Sequence, residues 1–179
     1  KQKDWPCSLT SGKPYSLRIP ILRDQIVPRY LDDPLISEVI IVASDPDWDF
    51  PTNDKLKLVV KPEPGGKALG PWTIDKRHAG FLASTKKLLV FHHDDHVLGP
   101  GIAQLIIEKY LPDPAWGALA ASRWVKDKDG SEGRAIDGWY DGYMTTNGFI
   151  IHRHIVEKTP CDSCPRNKFW DVLYSKLLI

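Results

Sequence analysis

A chain of 179 residues, 42% hydrophobic and 26% charged, is long enough to bury one core, and its composition is globular rather than that of a disordered chain. Its 24 basic and 23 acidic residues leave a net charge of +1, which provides no extended footprint for nucleic acid. No apolar run approaches the roughly 20 residues that cross a bilayer, and the opening KQKDWPCSLTSGK lacks the apolar centre of a signal peptide.

The chain is therefore expected to be soluble and to meet a small or neutral partner, or to carry a local charged pocket. It ends on YSKLLI, apolar and without a polar tail, which points to excision from a longer protein. Residues 1–14 are polar and read as an arm; residues 15–179 read as a single domain.

Tyr15–Leu22 is a short apolar stretch that predicts a first strand. Ile26, Val27, Tyr30 and Leu31 then fall on one face of a helix. Pro28 is tolerable near the start of that helix and not deeper, and Asp32-Asp33-Pro34 ends it. SEVIIVAS (37–44) carries four consecutive β-branched or aliphatic residues, Val39 to Val42, and predicts a strand buried on both faces. Asp45-Pro46-Asp47 is a turn. LKLVVKP (56–62) predicts a second buried strand, and residues 62–71 a loop. A helix is expected over 73–86 with Ile74, Phe81 and Leu82 inward. KLLVFHH (87–93) predicts a third buried strand. Pro100–Tyr110 is a helix with Ile102, Leu105 and Ile106 on its apolar side.

WGALAASRWVK (116–126) predicts a strand, Asp127-Lys128-Asp129-Gly130 a hairpin-like turn, and RAIDGWYDGY (134–143) an aromatic, Gly-rich segment. NGFIIHR (147–153) is a last strand, Ile155–Lys158 begins a helical turn, and Asn167–Leu178 closes the chain with a helix. The order defines an α/β fold with a mainly parallel central sheet and helices on both faces. Such sheets bind ligands at the carboxyl ends of their strands. Asp45 and the segment after Phe91 both fall at such ends.

That segment is VFHHDDHVLGPG (90–101), with three histidines and two aspartates in the five positions 92–96. An acidic pair after a buried strand suits a hard divalent cation such as Mg²⁺ or Mn²⁺, and imidazole beside it tilts the choice towards Mn²⁺ or a later transition metal. The plainer reading makes the aspartates turn or cap formers and the histidines surface groups. The spacing H-H-D-D-H fails the H-x-H-x-D-H of metallo-β-lactamase-type hydrolases. The strand before it argues against an HD-type phosphohydrolase, which is helical. A third competing reading is that the segment resembles the D-x-D site of a nucleotide-sugar glycosyltransferase, in which Mn²⁺ bridges the donor diphosphate.

Further segments carry the same resemblance. SLRIPILRDQIVPRYLDDPLISEVIIVASDP, LGPWTIDKRHAGFLASTKKLLVFHHDDHVLGPG, YMTTNGFIIHRHIVEK and KFWDVLYSKLL resemble, in that order, the segments of a GT-A glycosyltransferase domain. The similarity is to the exostosin-like group and to related small bacterial or viral transferases.

The resemblance implies a GT-A (Rossmann-like) fold and transfer of a sugar from a nucleoside diphosphate sugar, a UDP-sugar by preference, to a glycan or other hydroxyl acceptor. It implies Mn²⁺ or Mg²⁺ at Asp95. Asp94 takes the middle of the triplet and contacts the nucleotide, and His93 stands first, where the family has an acid. Imidazole there brings no negative charge. Arg23, Ser44, Asp45, Lys76 and Arg77 fall at nucleotide-contacting places, and Asn147 and Gly148 leave room for the sugar. Asp171 is the candidate catalytic acid, with Trp170 where a second acid is common. Trp124, Trp139 and Tyr140 are candidate acceptor platforms, since sugars stack on aromatic faces. His152 and His154 form an H-x-H that offers a further ligand.

The plainer alternatives keep their place. Lys76 and Arg77 also read as a solvated helix face, Asp171 as a first-turn helix charge, and the tryptophans as core. Cys161-x-x-Cys164 reads as incidental thiols, a local disulfide, or a metal or redox pair that lacks two further ligands. Two other functions compete with transfer: a non-catalytic GT-A-like module that binds glycan or protein, and a metallohydrolase. A cytoplasmic setting is preferred, or the Golgi lumen if the exostosin-like resemblance extends to the setting.

Overall fold

The computed structural model describes residues 19–44, 46–47, 49–62, 69–91, 101–109, 111–112, 118–120, 123–125, 134–136, 139–140, 143–144 and 149–158. Residues 19–21 are already helical, so the end of the expected first strand, Ile19–Leu22, is helix instead. The apolar run Ile19-Pro20-Ile21-Leu22 is helical because Ile26 and Val27, one turn on, are each 1% exposed and anchor it.

Pro28 is the feature that shapes this helix. It lies nine residues beyond Ile19, well inside the helical stretch. Its ring would strike the carbonyl four residues back, and it has no N–H to donate. The chain answers with a π-helical turn, Leu22–Ile26, in which the Val27 N–H donates to the Leu22 carbonyl, one residue wider than an α turn. An α-helix, α1 (Val27–Asp32), follows with Pro28 in its first turn. Asp33 is extended (φ −74°, ψ 118°), the conformation favoured before a proline, and ends it. Lys55 Nζ donates to the carbonyls of Leu31 (2.9 Å) and Asp33 (3.0 Å), satisfying the helix end with a cation.

β1 (Val39–Ala43) and β2 (Leu56–Val60) pair in parallel, Val39 with Leu56 through Ala43 with Val60. Helix α2 (Leu69–Ala83) packs on their Val42 side and starts earlier than the sequence suggests. A Cβ on Gly80 would sit 3.2 Å from Val42 Cγ2, so the missing side chain lets helix and sheet close. Phe81 is buried as expected (7%), but Leu82 is 64% exposed, a correction. Adjacent residues of a helix point about 100° apart, and Phe81 takes the inward place. β2 is also not buried on both faces: Leu58 and Val60 stay open, because the helices cover β1 and leave the strand beside it half bare.

β3 (Leu88–Phe91) pairs antiparallel with β9 (Phe149–His152), which pairs antiparallel with β4 (Ala118–Ala120). β3 and β4 therefore run in one direction with a reversed strand between them. Ile150 (3%) and Ile151 (0%) are consecutive and both buried, so β9 is covered on both faces. Helix α3 (Ile102–Lys109) follows Gly101, whose φ of +75° suits glycine. Ile106 is its buried contact (4%); Leu105, expected inward, is 43% exposed.

The expected strand 116–126 is two strands. After β4, β5 (Arg123–Val125) pairs antiparallel with β6 (Arg134–Ile136), consistent with a turn at 127–130, which itself lies outside the described residues. β7 (Trp139–Tyr140) pairs with β8 (Tyr143–Met144) across the two-residue connection Asp141-Gly142. Helix α4 (Arg153–Lys158) ends the described chain. Its Arg153 closes the core: Nη1 donates to the Ser84 carbonyl and hydroxyl, each at 2.7 Å, Nε to Glu157 at 2.9 Å, and the guanidinium lies 4.6 Å from the Phe81 ring centre. Residues 1–18 and the expected closing helix 167–178 lie outside the described residues.

Glu38 ties the start of β1 to its neighbours. Its carboxylate accepts from Lys57 Nζ (2.5 Å), from the Thr85 N–H (2.9 Å) and from the Thr85 hydroxyl (3.1 Å), and its side chain is 7% exposed. Burial pushes this carboxyl up; the hydrogen bonds from Lys57 and Thr85 outweigh burial and hold it below its ordinary value of 4.5. A depressed native value means that its contribution is complete above the unfolded value and fades as pH falls through the native one. Glu38→Gln is therefore expected to cost about 1–2 kcal/mol at pH 7, a range that allows for solvent screening of the half-exposed Lys57. The gap between variant and wild type should shrink below about pH 4 in urea titrations; a gap that stays constant down to pH 3 would refute the assignment.

Candidate functional site

The carboxyl end of β1 is where two of the sequence-predicted residues meet. β1 ends at Ala43, fully buried, and Ser44 is the next residue. Lys76, on the α2 helix that packs against β1, extends its ammonium to donate to Ser44 Oγ at 3.2 Å. The contact exists because α2 lies close over β1 at Gly80, one turn further along the helix. It places a half-buried cation at the mouth of the parallel strand pair. An ammonium there is a point charge suited to a phosphate oxygen, and the serine hydroxyl beside it can both donate and accept.

Arg77 is the next residue on the helix and is half-buried; the helical step turns it away from Lys76. Arg23 lies in the π turn. Its fork is engaged by the adjacent Asp24, Nε to Oδ1 at 2.6 Å and Nη2 to Oδ2 at 2.9 Å. The hydrogen bond from Arg23 holds the Asp24 carboxyl below its ordinary value, and the same bond, with the charges of Asp24 and Asp49, raises the guanidinium. Arg23 thus meets any anion with part of its donor set already committed. Helical spacing gives no warning of this, since neighbours i and i+1 do not face each other on an α-helix.

The other predicted residues are not brought together within the described part. His93, Asp94, Asp95, Asp45, Asn147, Gly148 and Asp171 lie outside the described residues, as do Cys161 and Cys164. Trp124, Trp139 and Tyr140 fall on β5 and β7, and their side chains lie outside as well. Among the described residues no three His, Cys, Asp or Glu side chains gather as a metal site. His152 is buried at 5% exposure, with its ring 5.4 Å from that of His154. Burial at the end of β9 is the core-histidine reading of that H-x-H.

One register bears directly on the site. Phe91, the last described residue before the histidine–aspartate cluster, pairs with Phe149, the first described residue after Asn147-Gly148. The chain leaves β3 and enters β9 at the same end of one ladder.

The parallel β1–β2 pair, the helix α2 packed on it and the β3–β9–β4 sheet with its reversed strand make an α/β domain of the Rossmann-like, GT-A-like fold class. No family model matches the sequence, and no curated protein matches it. Among solved structures, the chain is similar to the 2-C-methyl-D-erythritol 4-phosphate cytidylyltransferase (IspD) of Francisella tularensis. The TM-score is 0.56 and the identity 12%, over 97% of this chain and 79% of that one. This likeness shows the fold. No helix among the described residues is long and apolar enough to cross a membrane.

Proposed function

We propose that this chain is a nucleotide-dependent transferase whose donor lies across the carboxyl ends of β1 and β3. The observation that carries this reading is the Lys76–Ser44 contact at the end of β1, in a fold similar to that of a cytidylyltransferase. Ligands of open α/β sheets lie at such strand ends. Lys76 meets a donor phosphate, Ser44 and Asp45 meet the nucleoside, and Arg23 and Arg77 contribute positive charge nearby.

The finer reading is glycosyl transfer from a UDP-sugar to a glycan or other hydroxyl. Its support is the strand-end position of Asp94-Asp95 and the pairing of Phe91 with Phe149, which brings the approaches to His93–Asp95 and to Asn147-Gly148 to one ladder end. Asp95, with His93 or Asp94, would hold Mn²⁺ or Mg²⁺; a carboxylate beside imidazole is a donor set that suits Mn²⁺. Such an ion neutralises the diphosphate. Asp171 would stand near the reacting sugar, and Trp124, Trp139 and Tyr140 on the acceptor side.

Nucleotidyl transfer is the second reading, favoured by the named activity of the structural neighbour. Calorimetry with UDP, UDP-glucose and CTP, each with and without Mn²⁺, separates the two. Mn²⁺-dependent binding of UDP and the UDP-sugar supports glycosyl transfer. Binding of CTP without UDP supports nucleotidyl transfer. Binding of no nucleotide overturns both and leaves a non-catalytic module.

A further inference from the structure

A cleft of about 450 Å³ opens at the opposite, amino-terminal ends of β1 and β3, beside α3. Leu35, Val90 and Leu111 line it while remaining 40%, 36% and 37% exposed, so three of the exposed large apolar side chains among the described residues share this one concave surface. Ile106, 4% exposed, contributes to the same wall.

The polar groups of the cleft are unequal. Glu38, its acid, is committed to Lys57 and Thr85. Lys86 and Lys87 are exposed and line it too, and neither forms an ion pair with a carboxylate among the described residues. The net result is a mainly aliphatic pocket, with Tyr30 also in its lining, and two lysines at its margin that have no carboxylate partner among the described residues.

We propose that this cleft binds a single-chain anionic amphiphile, a fatty carboxylate of medium length. Its alkyl chain covers the aliphatic wall, and its head meets Lys86 and Lys87. The size argues for a small molecule over a protein segment: small-molecule pockets run from about 300 to 1,000 Å³, whereas a docked helix, about 10 Å across, needs a groove several turns long. The site is separate from the proposed donor site. From Glu38 to Ser44 the strand covers about 20 Å at its normal rise, so a ligand here does not reach the strand ends where Lys76 lies.

The test is calorimetry on the full chain with laurate below its micellar range, dodecanol and inorganic phosphate. Laurate is expected to bind saturably with one site per chain, dodecanol about tenfold or more weaker, and phosphate alone not measurably. Lys86→Glu with Lys87→Glu should weaken laurate about tenfold or more. Ala103→Trp, which fills the cleft from α3, should abolish binding. No saturable laurate binding, equal affinity for dodecanol, or unchanged affinity in the charge-reversed variant each overturns the proposal. The two lysines are exposed, so their variant decides the matter even if Ala103→Trp does not fold. Nucleotide binding at the other end of the strands is measured separately and does not bear on this outcome.

Discussion

Ile151→Ala is expected to lower the unfolding free energy by about 3–4 kcal/mol, and Ile151→Val by about 1 kcal/mol. Ile151 is fully buried in the middle of β9, between Leu89 of β3 and Ala118 of β4. Truncating it removes apolar burial and leaves a void. Leu89, 8% exposed, is held in its own strand and does not move freely into the space. The cost therefore lies near the middle of the range of about 2–5 kcal/mol for large-to-small core changes. Urea denaturation with an unchanged slope would report it. A loss under about 1 kcal/mol would show that β9 is not the central strand of a packed core. Because β9 follows directly on Asn147-Gly148, the valine variant also separates stability from function. It should retain whatever nucleotide binding the wild type has.

How legible this was depends on whether the signal was local. The strands at 39–43 and 149–152 follow from runs of β-branched and aliphatic residues, and each forms where the run predicts, though in 39–43 only Ile41 and Ala43 are buried. The helix face at Ile26 and Val27 follows from spacing. What the sequence hides is non-local. Leu58 and Val60 are as apolar as the residues of β1, yet stay open because nothing among the described residues covers that side of β2. Whether a strand is central or lateral is a property of its neighbours and not of its composition. Ile19–Leu22 is equally at home in strand or helix by periodicity, since short apolar runs are ambiguous. The packing of Ile26 and Val27 decides for helix, and Pro28 is absorbed by a π turn that no pattern announces. At the candidate site, Ser44 and Lys76 were each readable singly, at a strand end and on a basic helix. Their contact across 32 residues needed α2 to settle on β1, which Gly80 allows. The pairing of Arg23 with Asp24 was not readable, because adjacent positions give no helical-face signal.

Lys76→Ala and Asp95→Ala are expected to weaken nucleotide binding in different ways, and the difference tests the proposed site. Lys76 offers a diphosphate a compact charge that needs no metal. Its loss should weaken UDP about tenfold or more whether or not Mn²⁺ is present, with the larger effect at low salt, because screening shortens the reach of an exposed charge to about 10 Å at 0.1 M. The loss of the Ser44 contact costs little stability, since the hydroxyl can turn to water. Asp95 acts, on the proposed reading, only through the ion. Its removal should erase the difference between titrations with and without Mn²⁺ and leave the metal-free affinity where it was. If Asp95→Ala leaves the Mn²⁺ response intact, the ion is held elsewhere and the D-x-D-like reading of the cluster falls. If Lys76→Ala changes nothing, the end of β1 is not where the nucleotide binds, and the Lys76–Ser44 contact serves only to seat α2 on the sheet.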